Sequence, residues 1–257
     1  MIGLRGKVAV VTGGGSGLGR AITARLHAEG VKVAIGGRNL DALRETTATL
    51  GEGSHAIVTD LTDTSACTAL VEKTFERFGR LDILVNNAGI GGTHASCRDL
   101  DPEDVEDCMR VNFFGAYACL HSAVPHMIAA GGGSIVNIGS MTGKRPMALR
   151  VAYAASKMAL LGMSRSAALD LAPHKIRCNV INPGPIEGER LKDAVAASAK
   201  VRGITFEEGY DEAMALMPLR DPVGAEQIAA MVAFLCSDDC RHISGEDIAM
   251  TSGIPVG

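Results

Sequence analysis

"KVAVVTGGGSGLGRAITARLHAEG", Lys7 to Gly30, begins as a short apolar run, breaks into glycines and resumes as an amphipathic pattern. An apolar β-rich run that stops at glycine and restarts with helical periodicity reads as strand, tight turn and helix. Glycines at 13, 17 and 19 let the backbone turn sharply and approach a pyrophosphate, whose charge meets the free N–H groups of a helix N-terminus. The spacing Gly-x3-Gly-x-Gly differs from the G-x-G-x-x-G of most dinucleotide folds. Between a strand and a helix the run predicts nucleotide binding, where a lone glycine run would be only a turn.

The same rhythm repeats downstream. After "KVAVV" come the short apolar runs "VKVAI", "HAIV", "LDILVN", "SIVNIG", "KIRCNVI" and "DIAM". Continuous apolar runs suit a parallel sheet covered on both faces, whereas a sheet wet on one side alternates. Helix signals lie between them: Asn39 caps a helix that stops at Gly51, Asp63 one that stops at Gly79, and Asp101-Pro102 opens a long one running toward Gly131. Repeated β-α units with right-handed crossovers predict an α/β fold, a doubly wound parallel sheet in a Rossmann-type three-layer sandwich. No linker, charge block or repeat divides residues 1–257, which read as a single domain. One stretch, about 185–220, is helical and charged where a crossover should be brief, and long insertions at the carboxyl edge of such sheets usually cover a ligand.

Composition narrows the function. A hydrophobic share of 47% and a charged share of 21% describe an ordinary soluble globule. A net charge of -4, no Trp and 4% aromatics give no case for nucleic acid. No apolar stretch is long enough for a membrane span, and the N-terminus runs into a strand without a signal-peptide pattern, so a cytoplasmic location is expected. Seven scattered cysteines without a CxxC read as buried free thiols, and the histidines lack ligand spacing, so no metal is expected.

"YAASK", Tyr153 to Lys157, puts a phenol and an ammonium at i and i+4 on one helical face. A neighbouring cation favours phenolate and lowers a tyrosine pKa from its usual value of about 10; alone, the pair could equally be a packed Tyr beside a solvated Lys. In "DVEDCMRVNFFGAYACL", Asn112 interrupts an apolar stripe formed by Val105, Met109, Ala116 and Leu120. A buried amide there must be hydrogen-bonded, and tying two segments together would suffice.

Taken together, "TGGGSGLG", "NNAG" at 86 to 89, Ser140 and "YAASK" resemble the short-chain dehydrogenase/reductase superfamily, in the expected order over nearly the whole chain. The resemblance implies an oxidoreductase that interconverts a secondary alcohol and a ketone with NAD(P)(H). In it Tyr153 is the acid and base, Ser140 orients the carbonyl oxygen, and Lys157 lowers the phenol's pKa and holds the nicotinamide ribose. Asn112 holds water in a proton relay to Lys157. The implied cofactor residues are Gly13, Ser16, Gly17, Leu18, Gly19, Arg38, Asp60, Leu61, Asn87, Ala88, Gly89, Tyr153, Lys157, Pro183, Gly184 and Ile186. Gly37 stands where NAD-preferring relatives carry an acidic residue, and Arg38 follows it; nothing repels a 2'-phosphate there, so NADP(H) is favoured over NAD(H). Asp60 matches an adenine-contacting aspartate, although a bare capping role would also explain it. Gly188 replaces the threonine frequent in relatives, and "IAMTSG" departs from their Asp-Gly-Gly; a homotetramer remains the implied assembly.

For the substrate the sequence offers a small carbonyl or alcohol compound and one hint of polarity. Lys144, Arg145 and Arg150, with Arg190, Lys192, Lys200 and Arg202 of the insert, stand out in an acidic chain. One or two of them could accept a carboxylate, phosphate or sulfonate; pairing with Glu187, Glu189 and Asp193 is the plainer reading. Met141, Met147, Met214 and Met217 could form an apolar wall or simply pack in a core. Two other activities remain open: a 3-oxoacyl thioester reductase, and a dinucleotide-sensing protein without turnover.

Overall fold

The computed structural model describes residues 1–256. Seven strands, β1 (Val8–Thr12), β2 (Lys32–Gly37), β3 (Ser54–Val58), β4 (Ile83–Asn86), β5 (Gly133–Ile138), β6 (Ile176–Pro183) and β7 (Asp247–Met250), form one sheet. Its order is β3-β2-β1-β4-β5-β6-β7 and every pairing is parallel. Strands β1 and β4 are buried along their full length because helices cover both faces.

Each strand sends alternate side chains to opposite layers. Ala9 and Val11 of β1 pack with Ile22 and Leu26 of α1 (Gly17–Ala28) and with Ile228 and Val232 of α10 (Ala225–Cys236). Val8 and Val10 face the other layer, among Leu70 and Val71 of α3 (Thr64–Phe78), Cys119 and Ala123 of α5 (Gly115–Ala129) and Leu171 of α7 (Val151–Leu171). These two apolar layers sandwich the sheet.

The helix punctuation follows the chain's own signals. The Asn39 side chain accepts from the Ala42 N–H at 3.1 Å to start α2 (Leu40–Leu50), and Asp63 accepts from Ser65 at 2.8 Å to start α3. Asp101 accepts from Glu103 at 3.0 Å ahead of α4 (Pro102–Met109). The long helix expected from Pro102 toward Gly131 is not uniform: α4 passes into a π-helical turn, Arg110–Phe114, before α5. A π turn inserts one residue and resets the helical face, and Asn112 sits inside it.

The unusual stretch after β6 is a helical hairpin, α8 (Glu189–Arg202) and α9 (Phe206–Leu216), with a short α6 (Met141–Lys144) following β5. Its two legs meet at a bridge between Ile186 and Val223, where the Glu187 N–H donates to the Val223 carbonyl at 3.0 Å and the Val223 N–H donates to Pro185 at 2.8 Å. Buried contact is sparse above this clasp: α8 buries Val195 and Ala199, and α9 buries Gly209. Met141, Met217 and Ile254 form a small separate core with Met214 beside them, while Met147 stays exposed. Of these four methionines, Met141 and Met147 border the cleft described below, whereas Met214 and Met217 do not.

The cysteines are all free, and six are buried. Cys97 departs from the expectation of burial because it lies in the exposed loop before α4.

Candidate active site

The chain order reverses between β1 and β4, and in open α/β sheets ligands bind outside the carboxyl ends of the strands at that point. A cleft of about 900 Å³ opens there, bordered by Gly13, Tyr153, Pro183 and the first turns of α8. All the cofactor residues expected from the sequence border it, and so do Ser140 and Lys157. Asn112 lies just behind its wall and is not among the bordering residues.

The floor at one end is the turn between β1 and α1. Gly19 lies so close to the turn that a Cβ on it would stand 2.0 Å from the Gly13 carbonyl oxygen and 2.6 Å from Asn87 Nδ2. Gly17 has φ of +48°, a Cβ there would meet nothing within 4 Å, and Ser16 to Gly19 border the cleft at the N-terminus of α1. The turn is held rigid from both sides. Asn87 Nδ2 donates to the Thr12 carbonyl at 2.9 Å, and the Thr12 hydroxyl accepts from the Asn87 and Ala88 N–H groups, each at 3.0 Å. Behind it, the Arg20 guanidinium donates to the Gly15 carbonyl at 2.9 Å and pairs with Glu45. A cradle of free amides without side chains fits the diphosphate of a dinucleotide. Asn87 thus spends its amide on the loop. Thr12, which binds two amides of the "NNAG" turn, was not singled out from sequence because it reads as an ordinary strand end.

Along the cradle's edge, Gly37 and Arg38 border the cleft at the end of β2. Arg38 is exposed and lowers the pKa of Asp60 through its charge, although the bonds Asp60 accepts from Thr62 N–H and Oγ1, both 2.9 Å, lower it more. Asp60 caps a local turn; the N-cap of α3 is Asp63.

The other end of the cleft holds the titratable groups. Lys157 is buried and donates to the Ile138 carbonyl at 2.8 Å, with Nζ 5.8 Å from the Tyr153 ring centre. Burial alone would raise the phenol's pKa, but Lys157, then Arg190, the Ser140 hydroxyl and Arg150 together carry it below its ordinary value. Burial likewise lowers Lys157, only partly offset by Tyr153. Ser140 is held by its own backbone: its N–H donates to Asn182 Oδ1 at 3.1 Å and its hydroxyl accepts from the Thr142 N–H at 3.1 Å. Asn182 is a second positioning residue that sequence patterning did not single out, since a buried amide at a strand end carries no periodic signature.

Asn112 uses both ends of its amide. Its Oδ1 accepts from the Ile90 N–H at 2.8 Å, and its Nδ2 donates to the Ile90 carbonyl at 3.0 Å and to Ser156 Oγ at 2.9 Å. It locks the loop after β4 to α7, which fixes the helix carrying Tyr153 and Lys157.

The cations noted in the sequence separate into two groups. Lys192 pairs with Glu189 at 2.8 Å and Arg202 with Glu212 at 2.7 Å, while Lys144, Arg145, Lys192 and Lys200 do not border the cleft. Arg150 and Arg190 do border it, as does Arg202, whose charge is taken up by Glu212 on the same rim. Lys144 and Arg165 instead hold Asp247, which is 8% exposed; burial works against ionisation, but the two cations outweigh it and keep the carboxylate below its usual range. A lowered folded pKa means stability that is present above the unfolded pKa of about 3.9 and lost as pH falls through the folded value. Asp247→Asn should therefore lower unfolding free energy by about 1–3 kcal/mol at pH 7, with the deficit shrinking below about pH 4; urea melts at pH 7 and pH 3.5 check this.

Comparison with known proteins agrees with this geometry. A family model described as short chain dehydrogenase matches residues 7–199. A sorbitol dehydrogenase of Cereibacter sphaeroides is 33% identical, covering 97% of this chain and 98% of its own. The 3-oxoacyl-[acyl-carrier-protein] reductase of Thermotoga maritima is 32% identical over 98% and 99%. A crystal structure of xylitol dehydrogenase bound to NAD+ superposes with a TM-score of 0.94 at 32% identity, covering 98% of this chain and all of that one. Other solved neighbours carry NADH or NADPH.

Proposed function

We propose, from the premise that this chain belongs to the short chain dehydrogenase family, that Tyr153 exchanges the proton in its reaction and that Ser140, Lys157 and Asn112 serve it. The activity itself is NAD(P)(H)-dependent interconversion of a secondary alcohol and a ketone. The observation that supports the residue assignment is the convergence of a side-chain-free amide cradle and a pKa-lowered phenol on one cleft.

A nicotinamide dinucleotide held by the Gly13–Gly19 turn and by Lys157 would supply or accept the hydride. In the reductive direction, negative charge grows on the substrate oxygen and Tyr153 delivers its proton there. A positioned acid contributes about 10²–10⁴-fold. Ser140, with its hydroxyl held by the Thr142 N–H, offers that oxygen a second donor. Lys157 stabilises the phenolate left behind and remains fixed on the Ile138 carbonyl. Asn112 sets the spacing of α7 against the "NNAG" loop; its carbonyl oxygen retains a lone pair for a water leading to Lys157.

For the cofactor, NADP(H) is our preference over NAD(H). Gly37 brings no carboxylate to the ribose side, and Arg38, exposed at the cleft's edge, offers a guanidinium to a 2'-phosphate. Arg38→Ala should raise KM for NADPH by about tenfold or more, the loss of one charged hydrogen bond, and leave NADH nearly unchanged. Initial rates with both cofactors check this, and a parent enzyme that favours NADH would defeat the assignment.

The chain is read as one domain over 1–257, with residues 185–220 forming the cover, and as a cytoplasmic homotetramer. No described helix is long and apolar enough to cross a membrane. The decisive assay follows nicotinamide absorbance over polyols, hydroxy acids, small ketones and a 3-oxoacyl thioester, since the Thermotoga relative reduces the last class by name. Absence of cofactor-dependent turnover across every class would overturn the assignment.

A further inference from the structure

We propose that Arg150 and Arg190 form an anion clamp on the substrate side of the cleft, so that the preferred substrate is a small ketone or alcohol carrying a carboxylate or sulfonate a few bonds from the reacting carbon. This rests on the oxidoreductase reading above and adds the substrate's chemical class.

Arg150 lies over the Tyr153 ring, its guanidinium carbon 4.5 Å from the ring centre. Any anion it binds is therefore close to the phenol oxygen where the carbonyl must sit. Leu149, just before it, has φ of +63°, a left-handed conformation uncommon for a branched side chain. Arg150 is the N-cap of α7, so this kink joins the loop after Ser140 to the helix of Tyr153. Among the described residues no carboxylate pairs with Arg150. Its partner is His94, whose Nε2 lies 2.9 Å from Nη1. Burial and the nearby Arg150 charge both lower His94's pKa, so the imidazole stays neutral and takes a hydrogen bond without cancelling the charge.

Arg190, in the first turn of α8, borders the same cleft. Its charge reaches Tyr153, Lys157 and Arg150, and among the described residues it forms no salt bridge. The acidic groups on the same rim are otherwise engaged or apart: Glu189 is paired with Lys192, Glu212 with Arg202, and Glu187 touches neither guanidinium. Two like charges held near each other without a counter-ion cost free energy that a bound anion recovers. Guanidinium forks also match the paired oxygens of carboxylate and sulfonate.

The test uses unreactive probes, so it does not depend on turnover. Calorimetric titration of the NADP+-saturated protein with butanoate, propane-1-sulfonate and neutral butanamide should show at least one anion binding about 10–100-fold more tightly than the amide. Arg150→Leu and Arg190→Gln should each remove most of that difference. Because Arg150 packs on the catalytic ring, Arg190→Gln, at an exposed helix start, is the safeguard if the other variant misfolds. Equal binding of anion and amide, no binding of any probe, or an unchanged preference in Arg190→Gln overturns the clamp. The oxidoreductase reading is judged apart, by cofactor turnover over the neutral and charged panel: turnover without anion preference removes the clamp alone.

Discussion

Tyr153→Phe is expected to lose about 10²–10⁴-fold in turnover in both directions while keeping dinucleotide affinity and fold. Phenylalanine retains the ring face on which Arg150 stacks, so the packing of α7 is preserved. What disappears is the one hydroxyl whose pKa Lys157 and its neighbours have lowered. The pH profile separates this role from a structural one. The oxidative reaction needs phenolate, so its kcat/KM should rise with pH and level off above an apparent pKa lower than the usual value of about 10; the reductive reaction needs phenol and should fall over the same range. Removing the cation with Lys157→Met should move both limbs to higher pH. A Phe variant that turns over at the parent rate, or a Met variant with an unmoved profile, would show that the proton comes from elsewhere.

The second large effect is expected at the cradle. Gly19→Ala places a Cβ against the Gly13 carbonyl oxygen and the Asn87 amide, and neither can yield. Gly13 is held by its N–H on the Gly36 carbonyl at 2.7 Å, and Asn87 is held on Thr12 at 2.9 Å. The turn must open, at the roughly 1–3 kcal/mol typical of local backbone strain, and dinucleotide affinity should fall by about 10–100-fold. Gly17→Ala is a useful contrast, since its Cβ meets open space and only its positive φ is penalised; its effect should be the smaller of the two. Fluorescence titration with NADPH beside thermal melts distinguishes lost binding from lost folding. Unchanged affinity in Gly19→Ala would mean the turn does not hold the pyrophosphate.

Much of the architecture was legible because its causes are local. Continuous apolar runs specified buried parallel strands, and Asn39, Asp63 and Asp101 marked helix starts where their side chains do accept backbone N–H groups. The site was legible where residues a turn apart on one helix must meet, as with Tyr153 and Lys157. It was not legible where function depends on contacts across the fold. Nothing near Arg150 in the chain shows that His94, rather than a carboxylate, receives it, and nothing near Lys144 shows that Asp247, on the far edge strand, removes it from the substrate side. The π turn also escaped periodicity, because an inserted residue looks like the continuation of a helical stripe until hydrogen bonds are seen.

The clasp between Ile186 and Val223 makes α8 and α9 a replaceable cassette. Both joints sit side by side, so a hairpin of different length or lining can be exchanged there at little cost in closure entropy, leaving the phosphate turn, Tyr153 and Lys157 in place while replacing Arg190. Arg190's share of the clamp thus sits on an exchangeable segment of about one-seventh of the chain, while Arg150 and the proposed proton donor stay with the helix beneath it.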